Sequence, residues 1–416
     1  MNGILVMSRD LKLLVTSNAL RNFGYGMMEV LFVLYLTDIG FDAIRVGAFI
    51  AATLIGSALL NLTVGVFADR LGRRRLMALM TMIMILAGMV IIFSKNFIVI
   101  LLAALSGALN FTAISTGAFV GLDQATMPQL SPMESRNRIF GVYNTAALLA
   151  RMGGALASSV PKLLEGTAEI TLVGGYRLTL GIFVVVGVIS LACVGSLSSA
   201  IEVDRKKTGS SRKLFSLVRS RRTVMKISAL FGVDAFTSGL VANSLIVLFF
   251  NQRFGVGAEV MGPVYSLARL LQAFSYQIAV RLADRIGLLK TMVFTHLPSQ
   301  FLLMALPFAP SLSVGIGILL LRQGLAHMDL PTRQAYITTI VDPEERTAAA
   351  GITNLTRNLT QSISPTITGF AYQALVYTVP FLFAGMIGVL YDLGMYLSFR
   401  RVVPIGEETR LSDGRL

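Results

Sequence analysis

The stretch Gly65, Val66, Phe67, Ala68, Asp69, Arg70, Leu71, Gly72, Arg73, Arg74, Arg75 decides how this chain is read. It starts at the end of one apolar run, residues 43–67, and leads through a basic, glycine-bearing turn into another, residues 76–93. A hydrocarbon core of about 30 Å takes about 20 apolar residues of helix, so each run is an expected membrane span and the stretch is the surface loop between them. The same alternation continues outward in both directions. Ten further runs, at 13–37, 97–120, 139–161, 178–197, 225–249, 260–282, 292–308, 312–331, 348–371 and 380–399, make twelve expected spans and an all-α integral membrane protein.

Composition excludes the competing classes. Of 416 residues, 54% are hydrophobic and only 14% charged, outside the range of soluble domains and far from the polar composition of disordered chains. Cys193 is the one cysteine, which excludes a disulfide scaffold. The net charge of +14 sits between the apolar runs rather than along one face, so it reports orientation in a bilayer and not a nucleic-acid partner. Residues 1–10 lack the charged, apolar, small-residue order of a cleaved leader, and the first run is expected to be retained.

With the N-terminus inside, the inner loops hold Arg70, Arg73, Arg74, Arg75, Arg136, Arg138, Arg281, Arg285, Lys290, Arg333 and Arg346, against scattered Arg45, Lys95, Lys162, Arg177 and Arg253 outside. Both termini are therefore expected in the cytoplasm, with the cell membrane as the location. The longest polar break falls between the sixth and seventh runs and divides the chain into a six-helix bundle at 1–200, a basic linker at 201–224 suited to anionic lipid headgroups, and a second six-helix bundle at 225–416 with a short tail. The two halves read as repeats. Gln124, Ala125, Arg136, Gly141 and Asn144 return as Gln334, Ala335, Arg346, Gly351 and Asn354 at one constant offset, each pair of residues opening or following a loop. Duplicated six-helix units are a signature of secondary transporters with a midplane site.

The opening stretch resembles the signature loop of the major facilitator superfamily: a glycine, an aspartate four residues later, then arginine, glycine and a basic cluster between spans two and three. A degraded copy at Ala283, Asp284, Arg285, Ile286, Gly287 follows span eight, with Val280 in place of the first glycine and Leu288 in place of the residue matching Arg73. Physically, Gly65 allows close helix approach, Gly72 a tight turn, and Asp69 can accept from a helix N-terminus while the arginines bridge acids or phosphates. The resemblance implies two pseudo-symmetric six-helix bundles that alternate access, with Asp69, Arg70 and Arg73 latching the cytoplasmic ends. It also implies that spans one, four, seven and ten line a central cavity, flanked by two, five, eight and eleven.

Ionisable side chains inside spans are costly unless paired or wet, and they are the default site candidates. They are Glu29, Arg151, Asp234, Arg269, Arg322 and Arg357. Under the implied arrangement span one neighbours span five and span seven neighbours span eleven, so Glu29 is expected to pair with Arg151, and Asp234 with Arg357. Protonating either acid would free an arginine and shift the favoured state, which makes the proton the expected coupling ion. Arg269 and Arg322 are left over by these pairings, and guanidinium groups facing a wet cavity favour an anionic solute. Tyr25, Asn110 and Gln323 are the neutral groups placed to orient it. His327 is expected to be a packing residue, and Met77, Met80, Met82 and Met84 core or lipid-facing filler. Gly24 and Gly26 in span one, Gly153 and Gly154 in span five, and Pro365 with Gly369 in span eleven are expected to allow bending and close packing.

These features make the expected function secondary active transport of a small solute, proton-coupled, with anions as the favoured class. A drug or lipophilic-cation/proton antiporter is the alternative, in which Glu29 and Asp234 meet the substrate. No phosphate-binding loop, zinc motif or completed aspartyl-protease signature is present, so no enzyme activity, cofactor, metal or obligate protein partner is expected.

Overall fold

The structure is a computed structural model that describes residues 7–109, 118–131, 135–166, 169–202, 220–342 and 345–400. Among these residues lie sixteen α-helices: α1 (Arg9–Asp38), α2 (Ala43–Leu71), α3 (Arg73–Phe93), α4 (Phe97–Leu105), α5 (Ala118–Leu130), α6 (Arg136–Ala157), α7 (Val160–Leu164), α8 (Leu172–Gly195), α9 (Arg221–Leu240), α10 (Asn243–Phe254), α11 (Ala258–Ile286), α12 (Leu288–Ala305), α13 (Leu312–Ala326), α14 (Asp329–Ile340), α15 (Arg346–Gln373) and α16 (Thr378–Phe399). Every expected span overlaps a helix. The segments 43–64, 73–93, 172–195, 221–254 and 378–399 are long and apolar enough to cross a membrane by length and composition alone. Large apolar side chains such as Phe93, Phe274, Phe301, Leu390 and Leu397 stay exposed on helix faces, a surface that lipid tolerates and water does not.

The chain falls into two compact units, residues 1–211 with 242–269, and residues 212–241 with 270–416. In the first unit α1 is central: it packs on α6, α8 and α10, while α3 packs on α8 and α2 on α4. In the second, α9 packs on α15 and α16, and α12 packs on α16, α13 and α14. Span one on span five thus has its counterpart in span seven on span eleven, as the sequence repeat requires. The α1–α6 approach is set by glycine. A β-carbon on Gly26 would overlap the Arg151 carbonyl, and one on Gly154 would overlap that of Phe23. Met77, Met80 and Met84 are buried in the core of the first unit, and Met82 is exposed.

Several expected spans are not continuous: in span four α4 ends at Leu105, and span five breaks at Ser158 and Ser159 between α6 and α7. Span seven breaks at Val241 and Ala242 between α9 and α10, and the freed Leu240 carbonyl accepts from Thr368 Oγ1 at 2.7 Å. Span ten breaks at His327 and Met328 between α13 and α14, then runs on to Ile340. That extension corrects the expected end at residue 331: Arg333, Gln334 and Ala335 are helical rather than loop residues, and their repeat partners Gln124 and Ala125 lie within α5. The helix continues past the apolar run because the polar side chains in it are satisfied inside the protein, as shown below.

Candidate functional site

In the first unit, Glu29 stands twenty residues into α1 and is 1% exposed. Its carboxylate accepts from Arg269 Nη2, at 2.6 Å to Oε2 and more closely still to Oε1. It also accepts from Asn243 Nδ2 at 2.7 Å and, more loosely, from Arg151 Nε at 3.4 Å. The Glu29 carbonyl takes the Ser244 hydroxyl at 2.8 Å. Arg269 comes from α11, Arg151 from α6, and Asn243 and Ser244 open α10 directly after the break in span seven. One acid therefore ties four helices together. Two guanidinium groups, 1% and 2% exposed, share that single carboxylate, leaving an excess of one positive charge in the cluster.

The expected Glu29–Arg151 pair is thus brought together, but Arg269, read from the sequence as an arginine left over for solute, is the closer partner of Glu29. The sequence screen paired residues by neighbouring spans alone and gave the acid one partner, whereas a carboxylate has two oxygens and room for both guanidinium groups.

In the second unit, Asp234 of α9 accepts from Arg357 Nη1 at 2.7 Å and from Arg333 Nη1 at 3.1 Å. Arg333 of α14 also bonds Asp329 at 3.0 Å. Beyond Asp234 lies His296 of α12, whose Nε2 is 4.0 Å from Asp234 Oδ1 and whose Nδ1 is 2.9 and 3.1 Å from the two oxygens of Asp392 on α16. The Gln300 amide meets the same ring, its Nε2 3.0 Å from His296 Nε2.

A third network sits deep in the first unit. Arg21 of α1 bonds Asp123 of α5 at 2.7 Å, Tyr143 of α6 donates to Asp123 at 2.8 Å, and the Arg21 guanidinium lies 4.4 Å from the Phe119 ring centre.

At the signature loop, Gly72 has φ +92, which only glycine adopts without strain, and Gly287 in the second copy has φ +87. Glu202 caps the start of α3, accepting the Arg73 amide at 2.7 Å and the Arg74 amide at 3.2 Å. The Arg73 side chain donates to the Ala125 carbonyl at 2.9 Å, and Arg74 bonds the Gly195 carbonyl. These contacts tie the loop to its own unit. The side chains of Gly65, Asp69 and Arg70 lie outside the described residues, and Asp284 and Arg285 are exposed.

Of the neutral candidates, Tyr25 is buried with its hydroxyl on the Ala108 carbonyl at 2.9 Å, Gln323 is buried, and Asn110 lies outside the described residues. Arg322 is half-buried in α13. His327 closes α13, its Nδ1 3.1 Å from the Gln323 carbonyl. Among the described residues no three His, Cys, Asp or Glu side chains gather as a metal site.

The profile of the Major Facilitator Superfamily matches residues 14–326 and 244–414, nearly the whole chain. The chain belongs to the major facilitator superfamily. Over 93% of both chains it is 25% identical to an uncharacterized membrane protein, YJR124C, of Saccharomyces cerevisiae strain ATCC 204508 / S288c. Among solved structures it resembles the nucleoside transporter NupG, with TM-score 0.74 at 14% identity over 95% of this chain and all of that one. It is equally similar to a bacterial homologue of the human lysosomal transporter Spinster, with TM-score 0.73 at 15% identity, covering 94% of this chain and 96% of the other. Both likenesses are of fold, and membership of the superfamily makes this a multi-pass membrane protein that transports solutes.

Within this superfamily member the sequence reading missed Arg21, Asp123, Arg333 and the role of His296 with Asp392. One signal was available. Asp123 precedes Gln124 and Arg333 precedes Gln334, so the repeat that aligned the glutamines also aligned these two charged residues. Arg21 sits about 18 Å of helical rise into α1 and Asp234 about 20 Å into α9. The transporter therefore carries one ion pair twice, with its signs exchanged: Arg21 with Asp123 in the first repeat, Asp234 with Arg333 in the second.

Proposed function

We propose that this protein is a proton-coupled secondary transporter of a small anionic solute in the cell membrane, in which the repeats at 1–200 and 225–416, joined by the linker at 201–224, alternate access to a midplane site. The observation that carries the reading is the Glu29 cluster. A buried site with one carboxylate and two guanidinium groups is short of one negative charge, and a solute carboxylate or phosphate would supply it through the planar donor geometry of arginine. Glu29 is at the same time the natural coupling group, because protonating it loosens both arginines at once.

Each unit also presents polar groups on exposed helix faces, Gln124 and Asn144 in the first and Gln334 and Asn354 in the second. Amides at membrane depth avoid hydrocarbon, which supports a water-filled path along these faces. Discontinuous helices such as the broken spans seven and ten are the usual carriers of midplane sites in transporters. A cationic drug would meet Glu29 already neutralised twice over, so the antiporter reading ranks second.

The test is thermal stabilisation of purified protein by phosphate, succinate, benzoate, tetraphenylphosphonium, glucose and uridine, followed by uptake of the stabilising compound into proteoliposomes under an imposed pH gradient. Anions are expected to stabilise the wild type but not Arg151→Gln, with uptake rising under the gradient. Stabilisation by tetraphenylphosphonium alone, lost in Glu29→Gln, would put the cation exporter first.

A further inference from the structure

The second unit holds a group of charges with an odd count. Asp234, Asp329 and Asp392 carry three negative charges, Arg333 and Arg357 two positive ones, and all five belong to one contact chain that ends on the His296 ring. In a low-dielectric interior a cluster one charge short of neutrality recruits the missing charge, and the group built to accept a proton here is the imidazole. We propose that His296 and Asp392 form the proton-binding site of this transporter: Nδ1 keeps its proton against the Asp392 carboxylate, and the coupling proton adds to Nε2, the ring nitrogen that faces Asp234.

The geometry fits each step. His296 is 7% and Asp392 1% exposed, so the proton is held away from bulk water. Both Asp392 oxygens lie within 3.1 Å of Nδ1, so the Nδ1 proton stays bonded whether or not Nε2 carries a second one. The Gln300 amide at Nε2 serves both states. It donates through its NH2 to a neutral ring, and on turning over it accepts through its carbonyl oxygen from a protonated one.

The elements packed on α12 supply the rest of the environment. From α16 the Tyr391 ring stands edge-on to the imidazole, with centroids 6.1 Å apart. From α14 come Arg333 and Asp329, and behind them Asp234 of α9 with its second partner Arg357 of α15.

The proton's arrival changes what Asp234 sees. With the ring protonated, its positive edge competes with the two arginines for one carboxylate; with the ring neutral, Asp234 is left to Arg333 and Arg357. Those arginines come from α14 and α15, the inner parts of spans ten and eleven, so the proton is coupled to the helices that carry the exposed amides Gln334 and Asn354. The inference deepens the proton-coupled reading above and rests on it, adding to Glu29 a second proton-responsive pair in the other unit.

Only two histidines exist in the chain, His296 and His327, so imidazole nitrogen NMR of His327→Gln protein in lipid nanodiscs reads His296 directly. The expected result is an imidazolium pattern at pH 7 that gives way to a neutral ring within the range pH 5–10, and a neutral ring already at pH 7 in Asp392→Asn. Uptake of phosphate, succinate or benzoate, whichever stabilises the wild type, should lose its acceleration by a pH gradient in His296→Gln, while His327→Gln should keep both its downhill rate and its gradient response. A ring neutral at pH 7 in the wild type, or one charged across the whole range, overturns the site, as does a gradient response intact in His296→Gln. A wild type indifferent to the gradient fails the proton-coupled reading itself, an outcome distinct from a coupled wild type whose coupling ignores His296.

Discussion

Glu29 shows how much one side chain can decide in a membrane interior. It is the shared acceptor of Arg151, Arg269 and Asn243, and removing a partner from a buried pair costs more than the pair contributes, because the remaining charge is stranded. Glu29→Ala should therefore lower stability by about 3–5 kcal/mol, and Glu29→Gln, which keeps an acceptor oxygen, by less. Thermal unfolding of the purified variants measures both, and equal melting temperatures for wild type and Glu29→Ala would mean that the arginines find other acceptors. The first partner was legible from depth and helix adjacency. Arg269 was not, since a linear sequence ranks partners one at a time and hides the second oxygen. His296 was passed over because a histidine in an apolar run carries no sign of its own; Asp392, ninety-six residues away on another helix, makes it a site.

Helices are where the sequence spoke most clearly and where it misled once. Each of the twelve apolar runs overlaps a helix, because burial in lipid demands apolar length, and Gly26 and Gly154 permit the α1–α6 contact because only a bare backbone approaches that closely. Gly154→Ala should separate α1 from α6 and lower the yield of folded protein sharply. Gly141→Ala in the same helix meets nothing within 4 Å and should stabilise by about 1 kcal/mol through helix propensity alone. Comparing size-exclusion profiles and melting temperatures of the two variants separates packing from propensity. Span ten misled because its polar end, from Thr332 on, was taken for a loop; Asp234 and Asp329 satisfy Arg333 internally, so the helix needs no apolar sequence there. The cap on α3 was equally hidden, supplied by Glu202 across 129 residues. Glu202→Ala should cost about 0.5–2 kcal/mol, the worth of a helix cap, and loosen the signature loop, seen as faster amide exchange at Arg73 and Arg74.

For the whole molecule, duplication explains both the symmetry and its breaking. The two repeats keep the same exposed amides at Gln124 and Gln334 and at Asn144 and Asn354, yet exchange the sign of the inner ion pair and diverge at the signature loop. In the first repeat Arg21 and Asp123 balance each other, while in the second Asp234 and Arg333 stand beside His296 as well. Orientation follows from charge on the same scale. Basic residues cluster in the loops assigned to the inside, even after Arg333 is withdrawn into α14, and moving such loops across a membrane is disfavoured. Cys193 is the single cysteine, so Cys193→Ser gives a background without thiols. In that background Lys95→Cys, exposed between α3 and α4, should react with a membrane-impermeant maleimide on intact cells. Arg285→Cys, exposed at the inner end of α11, should react only after the membrane is permeabilised. The reverse pattern would turn the protein over in the bilayer and place the His296 pair on the outer side, so the labelling fixes from which face the proton enters.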